Sequence, residues 1–424
     1  MLRAVPPPPA SVAPALTSAA RALAAGDGLA ALSLVGRAPG PVALALRGIA
    51  YAQLGDLELA REALARALDA TDDARLAARA RAALVEIAFA DGDPARAATA
   101  ARTSADELAR LGDARNAAMQ RLVLARAEVL LGRLGEARRV VGDVLAGPLP
   151  PDVRAVGSLA EAEIATRGLA ATDAAAALAR VRRALEAAPN PLLAREVAAR
   201  EAELSAPVAR LEEGGVARDA DLFAIEAAGR GDRFLVDACR RLVIAGRARV
   251  PLARRPVLFA LLVELARAAP GSVARDALAA RAFEARRINA SHRGRLRVEI
   301  GRLRKVLDGL GAEPVATADG YALASRRPVA VLVPRDQDDA SRVAILLGDG
   351  AAWSAQRVAE SAGISKRTTQ RALAELVDSG RAVRTGRGRN VRYARPGAPI
   401  ASRMLLLGLV PDVASQEQDH GGSS

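Results

Sequence analysis

The most strongly charged stretch of the chain is HRGRLRVEIGRLRKVL, residues 292–307, which holds six Arg and Lys side chains and a single Glu. Guanidinium groups bind anions, and arginine can make paired hydrogen bonds to a phosphate or to the edge of a guanine. A solvated helix normally balances such charges with carboxylates at i±4, but only Glu299 and Asp308 are available here. The stretch therefore predicts a helix that contacts a negatively charged partner.

The same stretch has a second, apolar pattern. At 100° per residue, four apolar side chains fall on one side of a helix, which predicts a stripe that packs into a core. This stripe consists of Leu296, Ile300, Leu303 and Leu307. The other sides would be exposed: Val298, Arg302 and Lys305 lie opposite the stripe, and Arg295, Arg297 and Arg304 lie on its flanks.

A second basic helix is predicted within SAQRVAESAGISKRTTQRALAEL, residues 354–376. The pattern is typical of a helix-turn-helix, because Ala359 is small where two helices cross, Gly363 can turn the chain, and Ser365 can cap the next helix. Gln and Arg side chains can recognise adenine and guanine, respectively. The residues expected to face outward and contact DNA are Lys366, Arg367, Thr368, Gln370 and Arg371.

Two short strands are predicted to follow this motif, on either side of the string GRGR at 386–389. The string lacks the Lys-Ser/Thr of a P-loop and does not lead into a helix, so a nucleotide site is not expected. A basic hairpin with Arg387 and Arg389 at its tip would instead contact the backbone or the minor groove of DNA. Residues 338–396 resemble the compact winged helices of many bacterial regulators, with a protein-docking winged helix as the alternative.

The net charge of +13 is unevenly distributed over the 424 residues. Residues 1–240 hold 30 Lys and Arg against 31 Asp and Glu, whereas residues 241–424 hold 31 against 17. This asymmetry indicates an anionic partner for the C-terminal part. Arginine enrichment in a biased genome is the competing explanation, but it would have made the first 240 residues basic as well.

Composition excludes several other classes of protein. Hydrophobic residues make up 51% of the chain and aromatic residues 2%, and the abundance of Ala and Leu favours a mainly α fold. One Cys and two His residues predict no disulfide framework, no metal site and no cofactor, and fit a cytoplasmic location. No membrane span or signal peptide is expected, and no residues have the spacing of a catalytic site.

Residues 15–210 carry a weak repeat. RGIAYAQLGDLELAREALARAL, residues 47–68, places small residues and a turn glycine at tetratricopeptide-like offsets, and further turn glycines follow at Gly92, Gly132 and Gly168. The segment resembles a degenerate tetratricopeptide array, an α-solenoid that stacks helix pairs around a concave surface. The resemblance implies a protein or peptide partner, and a purely structural or dimerising helical domain is the alternative.

Residues 232–327, which include the cationic stretch, predict a small domain. It would begin with an antiparallel sheet that turns at Ala245-Gly246, followed by a helix at 255–269. A second helix at 270–283, capped by Ser272, and a hairpin at 313–325 would complete it. This order of elements, with LVIAGRARVPLARRPVLFALLVELARAAPGSVAR and a closing Gly-Tyr, resembles the winged-helix domain of OmpR/PhoB-type regulators. The resemblance implies that the cationic helix enters the DNA major groove. Thr317-Ala318-Asp319 stands where that family's wing usually has Arg-Gly.

By this resemblance, base edges would be approached by Arg297, Val298 and Arg302, and phosphates by Arg293, Arg304 and Lys305. The sequence therefore predicts a cytoplasmic bacterial transcriptional regulator that binds double-stranded DNA and carries a helical sensing domain. A scaffold whose winged helices dock proteins is the alternative. A homodimer is compatible with either function, although no residue requires one. Residues 397–424 are predicted to form a tail with a short apolar helix.

Overall fold

The computed structural model describes residues 12–90, 94–187, 189–283, 285, 287–335, 339–347, 353–385 and 391–394. Within these residues the chain is 66% helical, with 18 helices, and a small mixed sheet lies toward the C-terminal region. The predicted mainly α fold class is confirmed at this level. The described residues divide into two compact units, 12–165 with 173–201 and 166–172 with 202–394.

Helices joined by short turns occupy the first half of the described chain. They are α1 (Val12–Ala24), α2 (Gly28–Val35), α3 (Pro41–Leu54), α4 (Leu57–Asp69), α5 (Ala74–Ala90), α6 (Pro94–Arg110), α7 (Ala114–Leu130), α8 (Leu134–Leu145), α9 (Pro151–Arg167), α10 (Ala171–Ala187) and α11 (Pro191–Ser205). Two of the predicted turn glycines, Gly55 and Gly132, lie between helices. Both have a positive φ, a backbone conformation in which a residue with a side chain would be strained. Gly92 lies outside the described residues.

Alanine sets the spacing between these helices, because its small side chain fills most of the buried positions. Each helix from α1 to α8 packs against the next, and the odd-numbered helices α1, α3, α5 and α7 also pack against one another in order. At Gly48 of α3, an added Cβ would lie 2.6 Å from Cγ of Leu64 in α4. The absence of a side chain at Gly48 therefore permits the close crossing of these two helices.

Polar side chains are buried within this helical part. The Gln120 amide donates a hydrogen bond to Oε1 of Glu86 at 2.9 Å, and burial raises the pKa of the Glu86 carboxyl well above its usual value. Arg126 contacts Glu163 at 3.0 Å, and both side chains are almost completely buried. An ion pair in this setting resists separation, because either charge left alone would lack water.

The C-terminal half contains the strands. Its first part runs β1 (Ala209–Glu213), β2 (Val216–Ala220), α12 (Leu222–Arg230), β3 (Phe234–Asp237), β4 (Leu242–Ala245), β5 (Ala248–Pro251), α13 (Pro256–Ala268), β6 (Ser272–Ala274), α14 (Arg275–Phe283), α15 (Ala290–Leu307), β7 (Ala312–Ala316), β8 (Gly320–Ser325) and β9 (Val329–Pro334). The predicted helix at 255–269 and the hairpin at 313–325 are confirmed as α13 and as β7 with β8.

Six of these strands form one sheet in the order β2-β1-β9-β3-β4-β5. The β3–β9 pair is parallel and every other neighbouring pair is antiparallel. The predicted turn at Ala245-Gly246 is confirmed, since β4 pairs with β5 and Gly246 has a φ of +61°. The sheet extends beyond residues 232–327 on both sides, because β1, β2 and β9 belong to it.

A second sheet has the order β6-β8-β7 and contains one correction to the sequence interpretation. Ser272, predicted to cap a helix, lies instead in β6, where it pairs with Ala322 of β8. The helix begins only at Arg275. Pairing with a distant strand thus outweighs the local capping preference of a serine, which sequence pattern alone does not report.

The remaining elements are α16 (Asp339–Leu347), α17 (Ala355–Ala362), α18 (Lys366–Asp378), β10 (Val383–Thr385) and β11 (Arg392–Ala394). They enclose a separate apolar core that includes Val343, Val358, Leu373 and Trp353. The predicted pair of strands is confirmed, since β10 and β11 are antiparallel. Among the described residues, no helix has both the length and the apolar character to cross a membrane.

Gly320 offers a test of this packing. A Cβ atom at Gly320 would overlap the backbone carbonyl of Val273 in the neighbouring strand, and backbone cannot move aside as a side chain can. We expect Gly320→Ala to lower the free energy of unfolding by about 1–3 kcal/mol in urea titrations. Gly294→Ala is the matched control, since nothing lies within 4 Å there, and it should raise stability by up to ~1 kcal/mol. Equal stability of the two variants would contradict this packing.

Candidate nucleic-acid interface

The cationic helix α15 is held in place by its apolar side. Leu296, Ile300, Leu303 and Leu307 are all buried, as the 100° periodicity predicts. They pack with residues of α13, α14 and the β7–β8 hairpin in one core. Burying four such side chains stabilises the position of the helix by roughly 1.5–3 kcal/mol each, which fixes which side faces outward.

The N-terminus of α15 is fixed by a reciprocal cap. The helix begins at Ala290, two residues before the predicted cationic stretch, because Asn289 acts as the N-cap. The Asn289 side-chain oxygen accepts from the His292 backbone N–H at 3.0 Å, and the His292 ring nitrogen accepts from the Asn289 backbone N–H at 3.4 Å. The imidazole thus replaces the Glu or Gln usual at this position.

Every residue of α15 that the sequence assigns to the interface is exposed. These residues are Arg293, Arg295, Arg297, Val298, Arg302, Arg304 and Lys305. Val298 is 54% exposed, which is unusual for an apolar side chain on a helix with a buried side available. An exposed apolar group among cations can contact the methyl group of a thymine.

Three of the six cations on α15 are occupied by contacts within the protein. Arg293 binds Asp276 of α14 through two hydrogen bonds of 2.8 and 2.6 Å. Arg302 donates to Glu299 at 2.8 Å. Arg304 donates to the carbonyl of Pro314 in β7 at 2.8 Å and lies 3.6 Å from the Glu313 carboxylate.

The other three cations keep their charge uncompensated. Arg295, Arg297 and Lys305 have no carboxylate within 4.0 Å among the residues that the structure describes. The Arg295 guanidinium lies 4.5 Å from the centre of the Phe283 ring, a cation–π contact that holds the side chain but does not neutralise it. Sequence periodicity identified the exposed cations correctly, but it could not separate the paired ones from the unpaired ones.

The hairpin beside α15 is held by an arginine that the sequence interpretation did not assign. Arg275, the first residue of α14, donates to the carbonyls of Ala318 and Thr317 at 2.8 and 2.9 Å. Its guanidinium also lies 6.0 Å from the Tyr321 ring. The hairpin tip therefore has a fixed conformation even though Thr317-Ala318-Asp319 contributes no basic side chain. No local pattern marks Arg275, since its partners are more than forty positions away.

Helices α17 and α18 form the second candidate surface. Gly363 ends α17 in the left-handed conformation at φ +66°, and the Ser365 hydroxyl caps α18 by accepting from the Thr368 backbone N–H at 3.1 Å. Both features were predicted from the sequence. Thr369 is fully buried, and its hydroxyl donates to the Ser365 carbonyl at 2.9 Å, so that only its methyl group needs apolar contacts.

Most of the side chains assigned to this second surface point outward. Lys366, Arg367, Gln370 and Arg371 are exposed, whereas Thr368 is half-buried with its hydroxyl 2.8 Å from that of Ser365. The Arg371 guanidinium lies 3.9 Å from the Asp339 carboxylate. Arg387 and Arg389, the predicted hairpin tip, lie outside the described residues, as does the segment 397–424.

No group of three His, Cys, Asp or Glu side chains in the described part of the chain is arranged to hold a metal ion. Comparison of the chain with known protein families, with curated proteins and with solved structures gives no match. The two surfaces share one arrangement, in which exposed cations lie on helices anchored by buried leucines.

The Arg293–Asp276 pair generates a prediction about pH. The hydrogen bonds from Arg293 lower the pKa of the Asp276 carboxyl below its ordinary value of 3.8. Because the folded pKa lies below the unfolded one, the pair stabilises the fold above pH 3.8, and this contribution is lost as the pH falls through the folded pKa. NMR titration of the Asp276 carboxyl should give a lowered pKa in the native protein and one close to 3.8 in Arg293→Gln. An unchanged pKa in that variant would show that the pair does not persist in solution.

Proposed function

We propose that this protein is a transcriptional regulator that binds double-stranded DNA through α15 and α18 and receives a signal or a partner through its helical N-terminal part. The observation that carries the proposal is the composition of α15. Four buried apolar residues fix the helix, and its outward side presents Arg295, Arg297 and Lys305 without neutralising carboxylates among the described residues. The uncompensated positive charge of this surface is complementary to the regularly spaced phosphates of DNA.

We interpret the elements from β3 to β8 as a winged helix, with α15 in the major groove and the β7–β8 hairpin as the wing. Arg297, Val298 and Arg302 would contact base edges, and Arg304 and Lys305 would contact phosphates. Arg293, Arg302 and Arg304 are already paired within the protein, so the unpaired Arg297 and Lys305 would contribute most of the net attraction to DNA. The wing would support the helix through Arg275 and Arg304 rather than by inserting an arginine of its own.

The second surface would bind DNA in the same manner. We interpret α16, α17, α18, β10 and β11 as another winged helix. Exposed Gln370 and Arg371 on α18 match the hydrogen-bonding patterns of adenine and guanine in the major groove. Lys366 and Arg367 lie at the N-terminus of the helix, where its own amide groups would add to phosphate binding.

We further propose that the helices within 15–210 form a solenoid of tetratricopeptide type. Support comes from the packing of odd-numbered helices against one another and from the close α3–α4 crossing at Gly48. Stacked helix pairs of this kind expose an extended surface that binds proteins or peptides. This part would therefore receive the signal, and its charge balance near zero fits a partner other than DNA.

The proposal predicts a steep dependence of DNA affinity on salt. Fluorescence anisotropy with labelled genomic fragments should show log K falling linearly with log salt, with a slope of about −0.9 for each phosphate contact. Lys305→Ala should weaken binding to all sequences alike and reduce the slope by about 1. Absence of binding at low salt would overturn the proposal and leave protein docking as the function of both surfaces.

Comparing two arginine substitutions on α15 distinguishes recognition of bases from sequence-independent attraction to DNA. Arg297→Ala should weaken binding to a preferred sequence by about 1–3 kcal/mol and relax the preference at one position. Arg293→Ala, the matched control, removes another exposed cation of α15 that Asp276 already neutralises, and it should have a smaller effect. Equal losses in the two variants would contradict the assignment of the interface.

The role of the second surface can be measured independently. Selection from a random DNA pool should return a composite site, and Gln370→Ala should relax it at positions distinct from those that Arg297→Ala relaxes. Thr368→Ala serves as the control on α18, because the Thr368 side chain is half-buried and bonded to Ser365. If Gln370→Ala leaves the selected site unchanged, α18 does not contact the bases.

A further inference from the structure

A polar pocket of about 370 Å³ lies in the C-terminal unit, and none of its lining residues is assigned to DNA. Parts of β1, β9, α13, α16 and α17 surround it. Six arginines line the pocket: Arg210, Arg241, Arg267, Arg281, Arg335 and Arg342. Only two carboxylates, those of Glu212 and Glu264, lie among the lining residues, so the pocket has a surplus of positive charge.

Four of the six arginines lie within 4.0 Å of a carboxylate, and two of these four share Asp219. Arg267 contacts Glu212 at 2.7 Å, Arg281 contacts Glu264, and Arg335 and Arg210 lie 3.4 and 4.0 Å from Asp219. Most of the arginines that line the pocket therefore have a carboxylate of the protein as a partner. These contacts fix the walls of the pocket, and with three carboxylates for four arginines they leave one positive charge in excess.

Arg241 and Arg342 remain without a carboxylate within 4.0 Å among the described residues, although both line the same pocket. Partial burial lowers the pKa of the Arg241 guanidinium, and repulsion from Arg342 lowers it further. Partial burial of Arg241 beside the like charge of the exposed Arg342 raises the free energy of the empty pocket. An anion placed between them would remove that cost.

The position of Arg241 is fixed rather than adaptable. Its backbone lies in the left-handed region at φ +53°, which residues other than glycine rarely adopt, and its guanidinium lies 5.9 Å from the Phe259 ring. The guanidinium also lies against Gly363, where an added Cβ would overlap it. A strained backbone that holds a charged group at a fixed point is common in ligand sites.

We propose that this pocket binds a small phosphomonoester. A phosphate group carries a charge of about −1.5 to −2 at neutral pH, which matches the two unpaired guanidinium groups, whereas a carboxylate carries only half as much. Guanidinium groups bind phosphate through paired, charge-assisted hydrogen bonds. The volume is within the range of small-molecule sites, and Phe259, Val263 and Ala362 offer apolar contacts to an organic part.

This inference goes beyond DNA binding and does not depend on it. Arg241 precedes α13, whereas Arg342 lies on α16 and Gly363 follows α17, so a bound phosphate would join the two halves of the C-terminal unit. Such a ligand would stabilise one arrangement of α15 relative to α18. The site would give the protein a response to a metabolite that is separate from any partner of its helical part.

Calorimetric titration of the full chain with inorganic phosphate, at constant ionic strength, tests the proposal. Saturable binding at one site is expected in the native protein. Arg342→Gln, a change at an exposed position, should weaken it by about tenfold or more, since a charge-assisted contact is lost. Arg247→Gln, which removes an exposed arginine from the β4–β5 turn outside the pocket, should bind phosphate as the native protein does.

Two further arms make the outcome specific. Arg297→Ala should bind phosphate as the native protein does, because Arg297 does not line the pocket. Loss of DNA binding in this variant therefore leaves the phosphate proposal unaffected, and the two proposals are tested separately. Asp336 and Asp338 lie in sequence between Arg335 and Arg342, outside the described residues, and are the competing occupants from the chain itself. Binding that emerges only in an Asp336→Asn, Asp338→Asn double variant would overturn the proposal. Absence of saturable binding, or equal binding in Arg342→Gln, would also overturn it.

Discussion

The pairing of β9 between β1 and β3 is the constraint on which the C-terminal unit depends. This pairing places Ala209 opposite Pro334 and Phe234 opposite Val329. The chain therefore rejoins, C-terminal to α15 and the β7–β8 hairpin, the same sheet that holds β1 and β3. Backbone hydrogen bonds on both edges of β9 close the segment that holds α13, α14 and α15. The orientation of α15 follows from this closure, because its leucines pack into the core that the sheet covers.

Folding also determines how much of the positive charge remains for a partner. Tertiary folding brings Asp276 and Glu313 to Arg293 and Arg304, and Glu299 pairs with Arg302 within α15 itself. The same principle operates in the arginine pocket, where Glu212, Glu264 and Asp219 lie within 4.0 Å of four arginines and no described carboxylate lies that close to Arg241 or Arg342. A count of charges in the sequence therefore overstates the charge available, and the surplus at each site is set by tertiary contacts.

Periodicity and turn chemistry predicted the elements whose causes are local. The apolar stripe of α15, the cap at Ser365 and the glycine turns at Gly246 and Gly363 all lie where the sequence placed them. The β1–β2 hairpin was missed although its turn, Gly214-Gly215, is a local signal with positive φ at both residues. Ser272 was misassigned because its strand pairs with Ala322, far away in the chain. The Arg293–Asp276 ion pair and the hydrogen bonds from Arg275 to the hairpin tip were missed, because no local pattern joins residues so far apart in the chain.

The short interval between Pro334, where β9 ends, and Asp339, where α16 begins, has a consequence for binding strength. Five residue steps span at most about 18 Å, even fully extended. Once α15 has bound its segment of DNA, α18 would be confined within a small volume around the adjacent segment, at an effective concentration on the order of millimolar. Two individually weak contacts would then act as one bivalent ligand, and avidity would favour sites whose two halves lie close together.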